Sequence, residues 1–166
     1  QILQWNQSCH SVPYFYWIPR NEHPQWDSHD DLKDLRMKEL FQMIHQQGGR
    51  SGMHPNYTSS ENPTFFNEQF RIFSQWRNEL VGNGSVINRQ HFLRFDPMSF
   101  PSILSSAGVV EDSSYGYAET IGWRASCTYP YYLFDLMHQC STTVLEVPLC
   151  AMDVSIFSSR YMNQPS

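Results

Sequence analysis

Short strand-like segments alternate with helix-like ones along the chain, and this alternation restricts the folds that the chain can adopt. Residues 14–18 form an aromatic run closed by a proline, which predicts a buried strand. In residues 28–47, apolar side chains recur at helical spacing and a glycine pair follows them, which predicts a helix. Residues 50–53 predict a second short strand, which a nearby proline prevents from continuing. The chain therefore begins in the order strand, helix, strand.

The same order continues through the middle of the chain. Asn62 and Pro63 predict a helix start, because asparagine can cap a helix and proline at the first helical position loses no hydrogen bond. Residues 85–88 predict a third strand. A third helix is predicted from Pro97 up to Gly108, which would end it.

The last third of the chain is harder to interpret. Val109 begins a predicted fourth strand, and residues 143–149 are a β-branched run that predicts a last one. Because glycines and a proline interrupt residues 113–142, we expect a loop there. The whole order predicts an α/β fold whose parallel sheet has right-handed crossovers, and ligands of such folds bind at the carboxyl ends of the strands.

Length and charge exclude several classes of partner. A chain of 166 residues suits one domain, and we expect a lead-in over residues 1–13, the domain over residues 14–157 and a tail over residues 158–166. The net charge of −5 and the lack of any basic run predict that nucleic acid is not a partner. No apolar stretch approaches the roughly 20 residues of a membrane span. We expect a soluble, cytoplasmic protein of undetermined oligomeric state.

Two further patterns are interpreted as structural. The four cysteines have neither a CxxC pair nor zinc-site spacing to histidine, so we expect free thiols. The acidic run near residue 30 lacks the glycine and final glutamate of a calcium-binding hand, so we interpret it as a solvated helix start. Its members are Asp27, Asp30, Asp31 and Asp34.

Five ionisable residues follow predicted strands, where the carboxyl ends would bring them to one mouth of the fold. They are His54, Arg89, His91, Asp112 and Asp153. Structural roles remain open for each, since a loop histidine can bond to the backbone, Arg89 can pair with Asp112, and Asp153 can cap a turn. The chain contains no GxSxG turn, so a serine hydrolase of the α/β type has no support.

Five stretches of sequence carry a resemblance to one family, from about residue 14 to residue 156. They read GGRSGMHPNY at 48–57, RQHFLRF at 89–95, AGVVEDSSYGYA at 107–118, IGWRASC at 121–127, and LEVPL at 145–149 with Met-Asp at 152–153. These resemble, in order, GHEIGLHPSY, RQHYLRF, AGFEYDSTLGYA, PGFRCGTC and LEIPLHVMD of bacterial polysaccharide deacetylase-like proteins. That is the NodB-related group of carbohydrate esterase family four.

The resemblance implies a distorted (β/α) barrel with a divalent metal, often zinc, that polarises the carbonyl of a sugar acetamide and activates water. His54 matches the family's first metal histidine, and Arg89 matches an arginine that orients a catalytic carboxylate. His91 stands where the family has proline, and we hypothesise that it is a second ligand. We expect Arg89, Asp112 and Asp153 to be the catalytic residues, because all three follow predicted strands. The expected carbohydrate-binding residues are Tyr57, Tyr117, Trp123 and Arg124.

The chain also departs from the family pattern. The paired aspartates of the family's first motif belong on a strand before residue 14, so we expect that strand upstream or a copy that has lost catalysis. Thr58 lies near the place of the second metal histidine, and Cys150 lies where a histidine acid is expected. The sequence therefore predicts a metal-dependent N-deacetylase acting on an acetylated sugar in cell-surface polysaccharide biosynthesis. Two alternatives remain: a catalytically inactive carbohydrate-binding barrel, and an aromatic surface used for assembly.

Overall fold

A computed structural model of the protein describes residues 2–28 and 31–157, apart from the side chain of residue 7. The chain divides after His91 into two compact units, which are described separately. Within the described residues, no helix combines the length and the apolar character that crossing a membrane requires.

The first unit contains three parallel strands in the order β1, β2, β3. They are β1 Tyr14–Trp17, β2 Arg50–Met53 and β3 Val86–Asn88. Tyr14 pairs with Arg50 at the start of β1, and Met53 at the end of β2 pairs with Asn88. All three strands were predicted, and their carboxyl ends lie at one edge of this sheet.

The described residues of the first unit also form three α-helices. They are α1 Ile2–Ser8, α2 Leu35–Gln46 and α3 Pro63–Val81. The α3 helix begins as predicted, with the Asn62 side chain accepting a hydrogen bond from the N–H of Thr64. The α1 helix occupies the predicted lead-in and buries Leu3.

The α2 helix begins later than residue 28, where the sequence pattern had placed its start. Asp34 caps it, because its carboxylate accepts the N–H of Arg36 and ends the preceding loop. Asp27 is buried rather than solvated, so the interpretation of the whole acidic run as a solvated helix start was wrong at that residue. Asp30 lies outside the described residues.

Aromatic side chains form the core of the first unit. The rings of Trp17 and Phe41 are 5.4 Å apart, and the ring of Trp76 on α3 packs edge-on against Phe41 at 4.5 Å. Trp76 also donates its indole N–H to the carbonyl of Leu32 at 2.9 Å, which satisfies a buried polar group. The packing of α2 and α3 therefore fixes the strands whose ends carry the predicted histidines.

The second unit contains a parallel pair and a hairpin. Its strands are β4 Val109–Asp112, β5 Tyr131–Asp135 and β6 Cys140–Glu146, in the order β4, β6, β5. β4 and β6 are parallel, whereas β5 and β6 are antiparallel. The helices are α4 Phe100–Ala107, which ends at Gly108 in the left-handed conformation, and α5 Asp153–Ile156.

The prediction of a loop over residues 113–142 was wrong at its end, where β5 and the start of β6 lie. β5 begins directly after Pro130, a position that tolerates proline because its missing N–H is not needed before the strand. β6 starts at Cys140 and ends at Glu146, two residues before Pro148. The predicted α/β class with mostly parallel strands is confirmed, and all four cysteines are free thiols as expected.

Candidate functional site

His54 and His91 form a directly bonded pair at the carboxyl ends of β2 and β3. Nε2 of His54 lies 2.9 Å from Nδ1 of His91, and the two rings meet edge-on with centroids 4.7 Å apart. The pair exists because both residues follow neighbouring parallel strands, as the sequence order predicted. The His91 side chain is 15% exposed, so the pair can be reached from solvent on one side.

The far nitrogen of each ring is anchored on a main-chain carbonyl. Nδ1 of His54 lies 2.6 Å from the oxygen of Arg89, and Nε2 of His91 lies 2.8 Å from the oxygen of Trp26. A carbonyl oxygen can only accept, so both far nitrogens carry the hydrogen. In their neutral forms, the two rings therefore direct the lone pairs of Nε2 and Nδ1 towards each other.

The two facing nitrogens lack one hydrogen when both rings are neutral. Three hydrogen bonds run from the Arg89 carbonyl through the two rings to the Trp26 carbonyl and require three hydrogens, whereas two neutral imidazoles carry only two ring N–H hydrogens. A proton between Nε2 and Nδ1 would complete the series, whereas a zinc ion bound to both nitrogens, at about 2.0–2.1 Å from each, would lie to one side of the line that joins them. Burial, and after it the neighbouring His91 ring, lowers the pKa of His54 to about 4, so His54 is neutral near pH 7.

Asp27 lies beside this pair and was missed as a site residue. Its side chain is fully buried, with Oδ1 3.8 Å from Nε2 of His91. Oδ2 accepts the backbone N–H groups of Glu22 at 3.0 Å and His23 at 2.8 Å, and Oδ1 accepts that of Tyr57 at 2.9 Å. The carboxylate thus ties the loop after β1 to the loop after β2. Four aspartates in a polar stretch gave no sequence signal for which one is buried.

Arg89 contributes its main chain to the pair and its side chain to a ring. Its N–H donates to the carbonyl of Met53 at 2.9 Å, and its guanidinium lies 4.4 Å from the ring centroid of Tyr16. Gly52 makes space for that ring, because a Cβ at position 52 would lie 2.7 Å from Cε1 of Tyr16. The first unit therefore brings His54, Arg89 and His91 together.

Asp112, at the end of β4, is buried in the second unit. Its carboxylate accepts the N–H of Ser114 at 3.0 Å and the hydroxyl of Ser114 at 2.8 Å. Its register partner on β6 is Glu146, which is also fully buried and accepts the N–H of Tyr115 at 3.0 Å. Burial, together with the Glu146 carboxylate, raises the pKa of the Tyr131 phenol.

Glu146 was not predicted as a site residue. The signal available was a lone acid in the largely apolar and β-branched stretch of residues 143–149, where burial of a charge needs specific hydrogen bonds. The two neighbouring buried carboxylates make the carboxyl ends of β4 and β6 the acidic part of the second unit.

The three predicted carbohydrate-binding residues of the second unit lie in the segment between β4 and β5. Tyr117 is 42% exposed, and Trp123 is half-buried in a turn closed by a hydrogen bond from Ser126. The guanidinium of Arg124 lies 4.5 Å from the ring centroid of Tyr115, so part of its surface is used within the protein. A hydrogen bond from Gly122 to the carbonyl of Cys150 holds this segment against the chain after β6.

Asp153 is the first residue of α5 and is exposed. Its carboxylate accepts the N–H of Val154 at 2.7 Å. Met152 occupies the N-cap position of α5, and no side chain caps this helix, so Asp153 does not take the capping role left open by the sequence. A catalytic role of Asp153 stays a prediction.

The histidine pair fits part of a metal site. Metal-binding histidines generally donate their other ring N–H to a carbonyl or a carboxylate, and both rings of the pair do so. Catalytic zinc sites use three protein ligands, however. Among residues 2–28 and 31–157, no group of three His, Cys, Asp or Glu side chains could hold an ion. The described residues therefore contain two ring nitrogens of the kind that such a site uses, and not a complete set of three ligands.

Comparison with known proteins identifies the fold. No family profile and no curated protein matches the chain. A crystal structure named as that of a "putative polysaccharide deacetylase" from Mycobacterium smegmatis matches with a TM-score of 0.59 and 16% sequence identity. The match covers 89% of this chain, which spans 44% of that protein's chain. The chain therefore has an α/β fold like that of this protein, in agreement with the resemblance seen in the five sequence stretches.

Proposed function

We propose that the protein is a metal-dependent N-deacetylase-like hydrolase that acts on an acetylated sugar. The observation that carries this proposal is the His54–His91 pair, in which both lone pairs face one point while both far nitrogens are held on carbonyls. Imidazole nitrogens suit zinc and other late transition metals. A bound divalent metal, for which we propose zinc, supplies the Lewis acidity that polarises an amide carbonyl and lowers the pKa of bound water.

The residues of the first unit have distinct roles in this proposal. His54 and His91 hold the metal through Nε2 and Nδ1, and the low pKa of His54 keeps its lone pair available at neutral pH. Arg89 orients His54 through its main-chain carbonyl. Tyr57 belongs to the loop that Asp27 fixes beside the pair, where it binds the sugar.

The second unit supplies the remaining groups of the proposal. Asp112 is a buried carboxylate at a strand end, as expected of a group that accepts or orients a proton. The proposed sugar-binding residues of this unit are Tyr117, Trp123 and Arg124, and Asp153 is the second proposed catalytic acid. These roles rest on the sequence, and the compartment proposed for the protein is the cytoplasm.

Zinc titration by calorimetry tests the proposal. We expect the chain to bind zinc, and His54→Gln or His91→Gln to weaken binding by at least tenfold, since each removes one of two nitrogen ligands. His138→Ala is the matched control, because His138 lies exposed in the β5–β6 turn and bonds only Asp135 among the contacts that the structure shows. Release of acetate from N-acetylated oligosaccharides should follow zinc affinity across these variants. Zinc binding that is absent, or equal in all four proteins, would contradict the proposal.

A catalytically inactive carbohydrate-binding protein is the second candidate. The observation that favours it is that the described residues supply two metal ligands and not three. In that case sugar binding should persist in a chelator, and no acetate should be released in the presence of zinc.

A further inference from the structure

The β5 strand is the last strand of its sheet and pairs on one side. Its neighbour in the second unit is β6, with which it pairs in antiparallel register. Among residues 2–28 and 31–157, no backbone hydrogen bond joins β5 to a segment other than β6. A strand edge whose backbone N–H and carbonyl groups have no partner strand can pair with a further strand.

The backbone of β5 stays regular along this edge. Between the pairs Tyr132–Leu145 and Phe134–Ser141, β5 advances by two residues and β6 by four, so the irregularity of the hairpin lies in β6. Exposed Tyr132, buried Leu133 and exposed Phe134 accordingly follow one another in the alternation of a regular strand. The structure describes β5 over its whole length, and this strand lacks the bulge with which many edge strands prevent pairing.

Five large apolar side chains along β5 and at its two ends are between 46% and 70% exposed. They are Tyr129, Tyr132, Phe134, Leu136 and Met137. Lysine, which commonly protects a strand edge from pairing, does not occur in residues 129–137. The charged residue in this stretch, Asp135, is buried and bonded to His138. The edge therefore carries no exposed charge that would repel a second strand.

The exposed apolar surface is large enough for a dimer interface. At roughly 200 Å² for each full side chain, the five residues expose about 600 Å² in one copy. If two copies cover most of this surface, they bury about 1,000 Å², which is the area that a specific interface needs. An apolar patch of this size on a single chain generally marks a place of interaction.

The sequence of β5 is complementary to itself in the opposite direction. In an antiparallel pair of two β5 strands centred on Leu133, Tyr132 of each copy lies opposite Phe134 of the other copy. Both side chains are exposed, and aromatic pairs across strands stabilise a sheet. The same pairing brings the Tyr129 end of one strand to the Met137 end of the other. This symmetry favours a second copy of the chain, because an unrelated partner strand does not require it.

We propose that the β5 strands of two copies pair in antiparallel orientation, so that the chain forms a twofold-symmetric dimer in which the sheet of one second unit continues into the other. The central contacts are the two Tyr132–Phe134 pairs, and Tyr129 and Met137 close both ends. The inference does not rest on the proposed function, because no residue proposed for metal or sugar binding belongs to β5.

Sedimentation equilibrium from micromolar to submillimolar concentration tests the dimer. We expect a reversible change from the 19.5 kDa of one chain to twice that mass, because an interface of this size is weak. Phe134→Lys should raise the dissociation constant by about tenfold or more, since twofold symmetry makes one substitution remove both aromatic pairs and place two ammonium groups at the joint edge. Phe157→Lys is the matched control, because Phe157 is 70% exposed in the same unit, directly after α5. It should dimerise like the unaltered chain.

Hydrogen exchange locates the interface without any substitution. In the unaltered chain, we expect the backbone amide hydrogens of β5 to exchange more slowly at high than at low protein concentration, since new hydrogen bonds form along the strand edge. Circular dichroism checks that the variants are folded, and the exchange measurement decides the question if Phe134→Lys is not.

A chain that has the mass of one copy at every concentration would overturn the proposal. If such a single chain binds the N-acetylglucosamine tetrasaccharide and Tyr132→Ala does not, the exposed rings belong to a carbohydrate site instead. A dimer would also contradict the proposal if Phe134→Lys dissociates at the same concentration as the unaltered chain, or if exchange slows only outside β5. Either result would place the interface on another surface.

Discussion

At the scale of single residues, the histidine pair shows how main-chain groups define side-chain chemistry. Each imidazole has one nitrogen bonded to a carbonyl, so the tautomer of each neutral ring is set by the backbone. The remaining nitrogens are placed 2.9 Å apart. Two lone pairs held this close are satisfied by one shared proton or by a metal ion, whereas burial lowers the pKa of His54 and opposes a charge on that ring.

The low pKa of His54 predicts a pH dependence of stability in the metal-free chain. An unfolded histidine has a pKa near 6.5, whereas burial lowers that of folded His54 to about 4. Between these values the unfolded chain binds a proton that the folded chain lacks. Stability is therefore present above pH 6.5 and is lost as the pH falls towards 4.

Urea unfolding at pH 5 and pH 7.5, in the presence of a chelator, measures this effect. From pH 5 to pH 7.5, we expect the free energy of unfolding of the unaltered chain to increase by about 1–3 kcal/mol more than that of His54→Gln. The glutamine variant has no group at this position that binds a proton in this pH range. Equal increases in the two proteins would show that His54 titrates normally.

Asp27 is predicted to support both the loops and the pair. Asp27→Asn exchanges one accepting oxygen for an NH2 group and leaves buried backbone donors without an acceptor, so we expect a loss of about 1–3 kcal/mol in the free energy of unfolding. Zinc affinity should fall by about tenfold or more, because the loop that carries the Trp26 carbonyl loosens. Asp31→Asn is the control, since Asp31 is exposed and its carboxylate accepts a hydrogen bond from the backbone N–H of Lys33. If both variants unfold at the same urea concentration, Asp27 has no such role.

Single residues also show what sequence reasoning could and could not find. His54, Arg89 and His91 were predicted to lie together because strand order alone brings their positions to one edge. Asp27 could not be predicted, because its burial depends on backbone N–H groups from two loops that no periodic pattern describes. Trp26 was missed for the same reason.

At the scale of elements, periodic segments were predictable and the hairpin was not. The α3 helix has a start signal at Asn62 and Pro63, and the helix begins there in the structure. In β5, by contrast, Tyr132 and Phe134 are exposed although they are large and apolar. The usual alternation of apolar and polar residues is therefore absent, and the strand forms because β6 pairs with it.

At Gly52 in β2, the addition of a single methyl group should lower the stability of the protein. A Cβ there would lie 2.7 Å from the Tyr16 ring and 2.9 Å from the carbonyl of Ile87, a contact that neither strand can relieve without shifting. We expect Gly52→Ala to lower the free energy of unfolding by about 1–3 kcal/mol in urea. In the control Gly84→Ala, the three atoms nearest to the added Cβ all belong to the flexible end of the Arg77 side chain, so a smaller loss is expected. A loss as small as that of the control would mean that the Tyr16 ring moves easily.

At the scale of the whole molecule, the order of strands and helices was enough to predict the fold class. Structural similarity to the mycobacterial protein agrees with that class at 16% sequence identity. Topology survives such divergence because it depends on the positions of apolar residues, and these can be exchanged for one another while the pattern is kept. The closed barrel stays a prediction, as does the meeting of all five ionisable residues at one mouth.

The carbonyl anchors of the two imidazoles have an evolutionary consequence. Every amino acid carries that oxygen, so mutations at positions 26 and 89 can replace the side chain and keep the anchor. Either side chain can therefore be exchanged in the course of evolution while the orientation of both histidines is kept.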